Sequence, residues 1–351
     1  MQQKRKQDHF KNYLRKIGSG EQTSKNMSRH ESADALKLIL TGIPSPAQIG
    51  AFMIAHRMKR PTPEELAGMV DAYIELGPKF QSKDSQRRPI CFGMPFDGRI
   101  RTAPIYPLTT LVLITAGQPV VLQGGKRMPV KFGITIKELF LALNINLEGL
   151  TIGQVEDGFL KNDFAFIYQP DHFSLAENLI YYREEIGKRP PLASMELLWS
   201  AHRSKHLHIS GFVHHPTEER HWKALELLGE EELITIKGLE GSIDISTSRI
   251  SIANQVGKSL VNRLHLNPKE FNCSKQDIKF ESLQIWQDQA VEALNCKGPL
   301  KETLLWNAGF YLWTSGVTKN LKEGIEKTTT LLKSGAVHKT IKKLTTWRQS
   351  V

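Results

Sequence analysis

The stretch "CFGMPFDGRIRTAPIYP", Cys91–Pro107, has the outline of a phosphate loop. Gly93 and Gly98 flank an acid, Asp97, and an apolar run follows. Loops of that kind hold phosphate through backbone N–H groups, and glycine lets the backbone come close. Here Pro95 has no N–H to offer, and Phe96 puts a ring where close approach is needed. Arg99 and Arg101 stand at the mouth of the segment. A second glycine pair, Gly124 and Gly125, runs into Lys126 and Arg127, with Lys131 four residues on. Cations in that density suit an anionic ligand.

Other residues with chemical potential read more plainly. His206, His208, His214 and His215 crowd "HLHISGFVHHP" and raise a metal site as a possibility, with His206 and His208 on one side of a strand. No carboxylate or cysteine neighbours them in the sequence, which favours surface or packing histidines. Trp306 and Trp313, seven apart in a helical run, read as a core stripe rather than a stacking platform. Cys91, near the arginines, reads as a half-buried core cysteine in preference to a reactive thiol.

Charge narrows the function classes. Lys+Arg 47 against Asp+Glu 36 gives a net charge of +11 over 351 residues. A positive field of that size attracts nucleic acid, other polyanions or phosphorylated ligands. Lys4, Arg5 and Lys6 begin a basic N-terminal stretch. No apolar run is long enough to span a bilayer, and the charged start lacks the apolar segment of a signal peptide. Three scattered cysteines fit free thiols in a reducing cytoplasm. There is no zinc-finger or helix-turn-helix pattern to read bases, so contact with nucleic acid would be through its backbone.

Residues 1–31 read as a basic tail with a short amphipathic helix near Phe10–Ile17 and a flexible linker. From Ser32, taken as a cap, to Gly77 the pattern is helical, with Pro46 and Pro63 in first turns and Thr62 as a cap. Strand and helix then alternate from "ICFGM" to "FAFIYQP", which predicts a parallel α/β sheet. Two helices are expected over 174–203, further alternation through "KSLVNRLHL", and long helices at the C-terminus.

"LILTGIPSPAQIGAFMIAHRMKRPTPEELAGMVDAY" and "GPLKETLLWNAGFYLW…NLKEGIEKTTTLLKSGAV" resemble the anthranilate phosphoribosyltransferase family, which shares its fold with nucleoside phosphorylases. The resemblance covers nearly all of the chain after residue 31. It implies an α/β fold with a small helical-bundle domain (32–85 with 174–203), a larger α/β domain (86–173 with 204–351), a cleft between them and a homodimer. It also implies phosphoribosyl pyrophosphate, Mg²⁺ and an aromatic amine as ligands.

The family's Gly-Thr-Gly-Gly-Asp-Gly loop matches Gly93–Gly98, leaving Gly93, Asp97 and Gly98 as phosphate-loop residues. Its Asn-x-Ser-Thr matches Pro104–Pro107, where Tyr106 keeps a hydroxyl. Its Lys-His-Gly-Asn-Arg loop matches Leu122–Lys126, leaving Gly124, Gly125 and Lys126. The metal-holding Asp-Glu pair falls on Ile243 and Asp244, with Glu240 close by. Arg189 keeps a substrate-side position. The altered loops and the charge resemble a branch of the family that binds DNA or RNA without sequence preference. That branch implies a nucleic-acid binder with remnant phosphoribosyl pyrophosphate and Mg²⁺ sites, contacting its partner through Arg99, Arg101, Lys126, Arg127, Lys131, Lys4, Arg5 and Lys6. The alternative is an active phosphoribosyltransferase, transferring phosphoribosyl to anthranilate in tryptophan biosynthesis or to another aromatic acceptor. The residues leave both readings open, and with them whether the chain is an enzyme.

Overall fold

A computed structural model describes residues 2–81, 87–257 and 260–351. Ser28, Ser45 and Thr62 each accept from the amide three residues on, and Glu31, Gln48 and Glu65 return the bond to the cap's own amide. These reciprocal caps start α2 (Arg29–Leu40), α3 (Pro46–Lys59) and α4 (Pro63–Leu76). The cap of α2 is therefore Ser28 and not Ser32, which lies buried inside the helix. Ahead of them α1 runs over Gln2–Ile17, longer than its sequence suggested. Phe10, Tyr13 and Ile17 are buried, and Phe10 packs on Phe52 of α3 with ring centroids 5.3 Å apart.

Seven strands form one sheet in the order β3-β2-β1-β4-β5-β6-β7. They are β1 (Ile90–Gly93), β2 (Val120–Gly124), β3 (Phe164–Tyr168), β4 (Leu207–Gly211), β5 (Leu233–Ile236), β6 (Ser251–Gly257) and β7 (Leu260–Leu266). β1 to β5 are parallel, and β6 and β7 are antiparallel. The last part of the expected alternation is thus a hairpin; Lys258 and Ser259, which join its strands, lie outside the described residues. Helices α5 (Tyr106–Thr115), α6 (Ile136–Ala142) and α7 (Ile152–Asn162) complete the first half of this layer.

The pleat divides the sheet between two cores. Ile90 and Phe92 face a core shared with α5, α6 and the C-terminal helices, while Cys91 and Val121 face one shared with α1–α4. The segment expected to give two helices over 174–203 is broken into short pieces, of which Ile180–Ile186 packs on α3 and Leu192–Met195 on α4. The long C-terminal run splits into Leu321–Lys333 and Ala336–Gln349 at Gly335, whose φ of 70° ends the first helix. The expected domain boundary at 85/86 lies outside the described residues. Among the described residues, no helix is long and apolar enough to cross a membrane.

β1 sends its connection to β2 on one side, and β4 pairs on its other side. Open α/β sheets bind ligands at such a switch, beyond the carboxyl ends of the strands. The Gly93–Gly98 loop leaves β1 at that point.

Candidate functional site

The loop after β1 is a packed turn. Gly93 approaches so closely that a Cβ would overlap the carbonyl of Leu197. Gly98, with φ +72°, donates its amide to Pro95 O at 3.1 Å. Met94, Phe96 and Asp97 are all buried. Asp97 takes the charge of Arg189 in a direct ion pair and lies 3.7 Å from Lys131. Burial pushes the Lys131 pKa below its usual value, against the pull of Asp97.

Two internal carboxylates fill the next anion positions along the chain. Glu240 accepts from the amides of Ile100 (3.2 Å), Arg101 (3.0 Å) and Thr102 (3.0 Å). Three consecutive N–H groups aimed at one anion form the kind of nest that phosphate loops offer their ligands. Asp244 accepts from Ile105 N at 2.9 Å, at the N-cap of α5, where the helix dipole favours negative charge. Arg99 joins the two: it pairs directly with Asp244, lies 3.5 Å from Glu240 and donates to Ser242 Oγ at 3.3 Å. Burial would raise the Glu240 pKa, but Arg99 and the amides outweigh it and hold it low. Burial dominates at Asp244 and raises its pKa in spite of Arg99.

This arrangement corrects two expectations. Arg99 is 2% exposed, so it neutralises an interior pair and does not face an outside polyanion. Asp244 and Glu240 do not fit a divalent cation as placed. Their oxygens are spent on a guanidinium and on amides, and only Asp244 Oδ1 lacks a hydrogen-bond partner. Mg²⁺ asks for near-octahedral oxygen ligands, and here a fixed cation already stands between the acids. Tyr106, the first residue of α5, is likewise buried in the core and presents no hydroxyl to a ligand.

The second glycine loop is not a free cradle either. Gly124 and Gly125 are buried. Lys126 is exposed but pairs with Glu177 at 2.5 Å, and Arg127 pairs with Glu138 at 2.8 Å. Arg101 is 73% exposed, with Glu240 3.7 Å away. Lys4, Arg5 and Lys6 lie on the exposed side of α1.

An open cleft lies beside this site, and Arg189 belongs to both. The cleft has a volume of about 610 Å³ and is lined by Arg57, Arg60, Arg189, Arg220, His214 and His221 among others. Arg57 and Arg60 come from the end of α3, Arg220 and His221 from the helix His215–Leu227. Among the described residues, no carboxylate forms an ion pair with Arg57, Arg60 or Arg220. Burial, then the neighbouring Arg60, lowers the Arg220 pKa. Burial, then Arg220, brings His221 down to about 4, so it is neutral at physiological pH. The sequence reading missed these arginines because "AHRMKR" and "TEERHW" look like ordinary helix ends until the fold sets them face to face.

The four histidines divide. His214 lines the cleft, His215 is exposed 3.7 Å from Glu219, and His206 and His208 are buried. Cys91 is buried and its pKa is raised by that burial, which favours the core-cysteine reading over a free reactive thiol. Trp306 is fully buried and Trp313 packs against the same core.

Comparison with known proteins agrees with the architecture. Residues 11–77 match the helical bundle domain of a glycosyl transferase family, and residues 101–338 match that family's a/b domain. The anthranilate phosphoribosyltransferase of Persephonella marina is 26% identical over 340 residues, covering 95% of this chain and 98% of the relative. That of Polaromonas sp. is 23% identical, covering 92% of each. Among solved structures, the enzyme from Thermus thermophilus aligns with a TM-score of 0.77 at 20% identity, over 95% of this chain and 98% of its own. The enzyme from Saccharomyces cerevisiae, in complex with phosphoribosyl pyrophosphate and Mg, aligns with a TM-score of 0.81 at 15% identity, over 98% and 99%. The caps, the parallel sheet with its switch point and these matches place the chain in the anthranilate phosphoribosyltransferase-like glycosyl transferase family.

Proposed function

We propose that the chain is a transferase of the phosphoribosyltransferase type. A phosphorylated sugar donor enters the arginine-lined cleft and gives its pentosyl group to an aromatic acceptor. Phosphoribosyl pyrophosphate and anthranilate, the ligands named for its relatives, are the first candidates. The observation that carries this reading is the set of cleft guanidiniums, Arg57, Arg60 and Arg220, that form no ion pair with a carboxylate among the described residues, beside Arg189. Fixed guanidiniums suit a leaving pyrophosphate and an acceptor carboxylate, since each can take two parallel hydrogen bonds. The near end-to-end likeness to anthranilate phosphoribosyltransferases supports the same class. We carry with it the helical domain of 32–85 and 174–203, the homodimer and a cytoplasmic location.

The deciding experiment is calorimetric titration with phosphoribosyl pyrophosphate, with and without Mg²⁺, followed by anthranilate fluorescence during turnover. Binding that does not need Mg²⁺, weakened about tenfold or more in Arg57→Ala, together with loss of anthranilate fluorescence, is expected. No heat at millimolar donor overturns the reading.

A second reading, sequence-nonspecific binding of nucleic acid, rests on the exposed cations Lys4, Arg5, Lys6 and Arg101. It calls for oligonucleotide binding that weakens steeply with salt. Replacing Lys4, Arg5 and Lys6 by alanine would lower the log–log salt slope by about 2–3. A salt-insensitive or absent interaction removes it.

A further inference from the structure

Cys91, His202 and His206 converge in the core that the sheet shares with the helical domain. Their ligand atoms, one per residue, all lie within 4.8 Å of one another, and the residues are 2%, 0% and 7% exposed. The fold brings them from distant places. Cys91 is the second residue of β1, paired across the ladder with His208 of β4. His206 immediately precedes β4, and His202 is held by a bridge to Phe80 and by the rings of Phe80 and Phe159. The sequence shows none of this, because Cys91 stands far from the histidines along the chain.

The hydrogen bonding at the cluster is incomplete. The His202 ring has the Ser204 backbone nearby, but neither of its nitrogens makes a hydrogen bond of good geometry. His206 Nδ1 lies 2.9 Å from Ser204 O, which makes Nδ1 the N–H donor and leaves the lone pair on Nε2. Nε2 makes no hydrogen bond, and Glu230 Oε1 lies 3.3 Å from it. A buried polar atom left unpaired costs about 1–3 kcal/mol, so several in one place call for a ligand. An imidazole fixed by an Nδ1–H bond to a carbonyl is the usual posture of a metal-ligating histidine.

We propose that Cys91 Sγ, His202 and His206 Nε2 bind a borderline-soft divalent metal, zinc by preference, and that Glu230, which as placed reaches only His206, swings in as the fourth ligand of a tetrahedral site. Zinc bonds of about 2.0–2.3 Å place ligand atoms roughly 3.3–3.8 Å apart, the separation already seen between His206 and Glu230. The thiol proton leaves to solvent as the thiolate bonds the metal. Glu230, 20% exposed and lining an open surface cavity, supplies the way in. Four protein ligands leave no open position, so the role is structural. The metal ties β1, the segment before β4 and the turn before β5 into one unit. This site is independent of the cleft and of the reaction proposed for it.

The test uses the full-length chain after chelator treatment. Titration with Co²⁺ is expected to give the intense visible absorption of a tetrahedral ion, with a thiolate-to-cobalt charge-transfer band. One equivalent of Zn²⁺ bleaches both and raises the thermal midpoint. Cys91→Ser removes the charge-transfer band, and Glu230→Gln weakens Zn²⁺ binding about tenfold or more. Absence of the tetrahedral spectrum, with no thermal shift, overturns the proposal. A charge-transfer band that survives Cys91→Ser, or unchanged affinity in Glu230→Gln, also overturns it. If Cys91→Ser does not fold, the parent spectrum and Glu230→Gln decide.

Discussion

Arg99 and Asp244, 145 residues apart in the chain, form a buried ion pair at the first turn of α5. The pair occupies the helix terminus that a phosphate would otherwise find, and it locks the loop after β1 to the turn after β5. Removing one partner of such a pair leaves a charge buried alone, which costs about 3–5 kcal/mol. Arg99→Met is therefore expected to lose that much in guanidinium unfolding. Arg99→Met with Asp244→Leu should recover most of it. A single variant within about 1 kcal/mol of the parent would show that Asp244 is already neutral and the pair is not ionic.

Glu240 competes with any phosphate for the amides of residues 100–102. Glu240→Ala should expose that nest and raise the affinity for inorganic pyrophosphate about tenfold, read by calorimetry. Unchanged affinity would mean that ligand phosphates never reach the loop. The carboxyl also has a pH signature. Its pKa is held below the ordinary value, so its contribution to stability is complete above the unfolded pKa and is lost as pH falls through the lowered folded one.

What the sequence made legible is what is local. Pro46, Thr62 with Pro63, and Gly77 announce their helix ends because such signals need only the next few residues. The parallel half of the sheet follows from alternation with helices. The β6–β7 hairpin did not, since an apolar strand reads the same in either direction. The loop residues Gly93, Asp97 and Gly98 could be found by spacing, but their occupancy could not. Arg189 on Asp97, Glu177 on Lys126 and Arg99 on Asp244 are partners chosen by the fold, distant in sequence. The same holds for the facing arginines of the cleft and for Cys91 beside His206.

Glu65 gives the helical domain its own acid sensitivity. Fully buried, it accepts from Met27 N (2.8 Å), Thr62 N (2.8 Å) and Lys59 Nζ (2.7 Å), with His56 Nε2 3.4 Å away. Burial would raise its pKa, but His56, Lys59 and the Thr62 amide outweigh that and bring it from 4.5 down to about 2. A lowered carboxylate stabilises the fold above its unfolded pKa, here by about 3 kcal/mol. That stability disappears as pH falls from about 5 to 2. Unfolding followed between those pH values should show the loss, and Glu65→Gln should be less stable at pH 7 with a flatter profile. An identical pH profile in the variant would assign the acid sensitivity to other groups.

Gly93 and Gly153 make opposite predictions for the same substitution. A Cβ on Gly93 would overlap the Leu197 carbonyl, which also bonds His208 Nε2 at 2.9 Å. The clash is with backbone, so the loop after β1 must shift and the His208 bond is strained. Gly93→Ala should cost about 2–4 kcal/mol and lower the thermal midpoint by several degrees. Gly153 lies in the first turn of α7 with open space where a Cβ would go. Gly153→Ala should stabilise by about 0.5–1 kcal/mol, through helix propensity and a less flexible unfolded chain. Were both variants neutral in thermal unfolding, the close approach of β1 to the 197 carbonyl would not hold in solution. The turn that seats Asp97 against Arg189 would then lose its anchor.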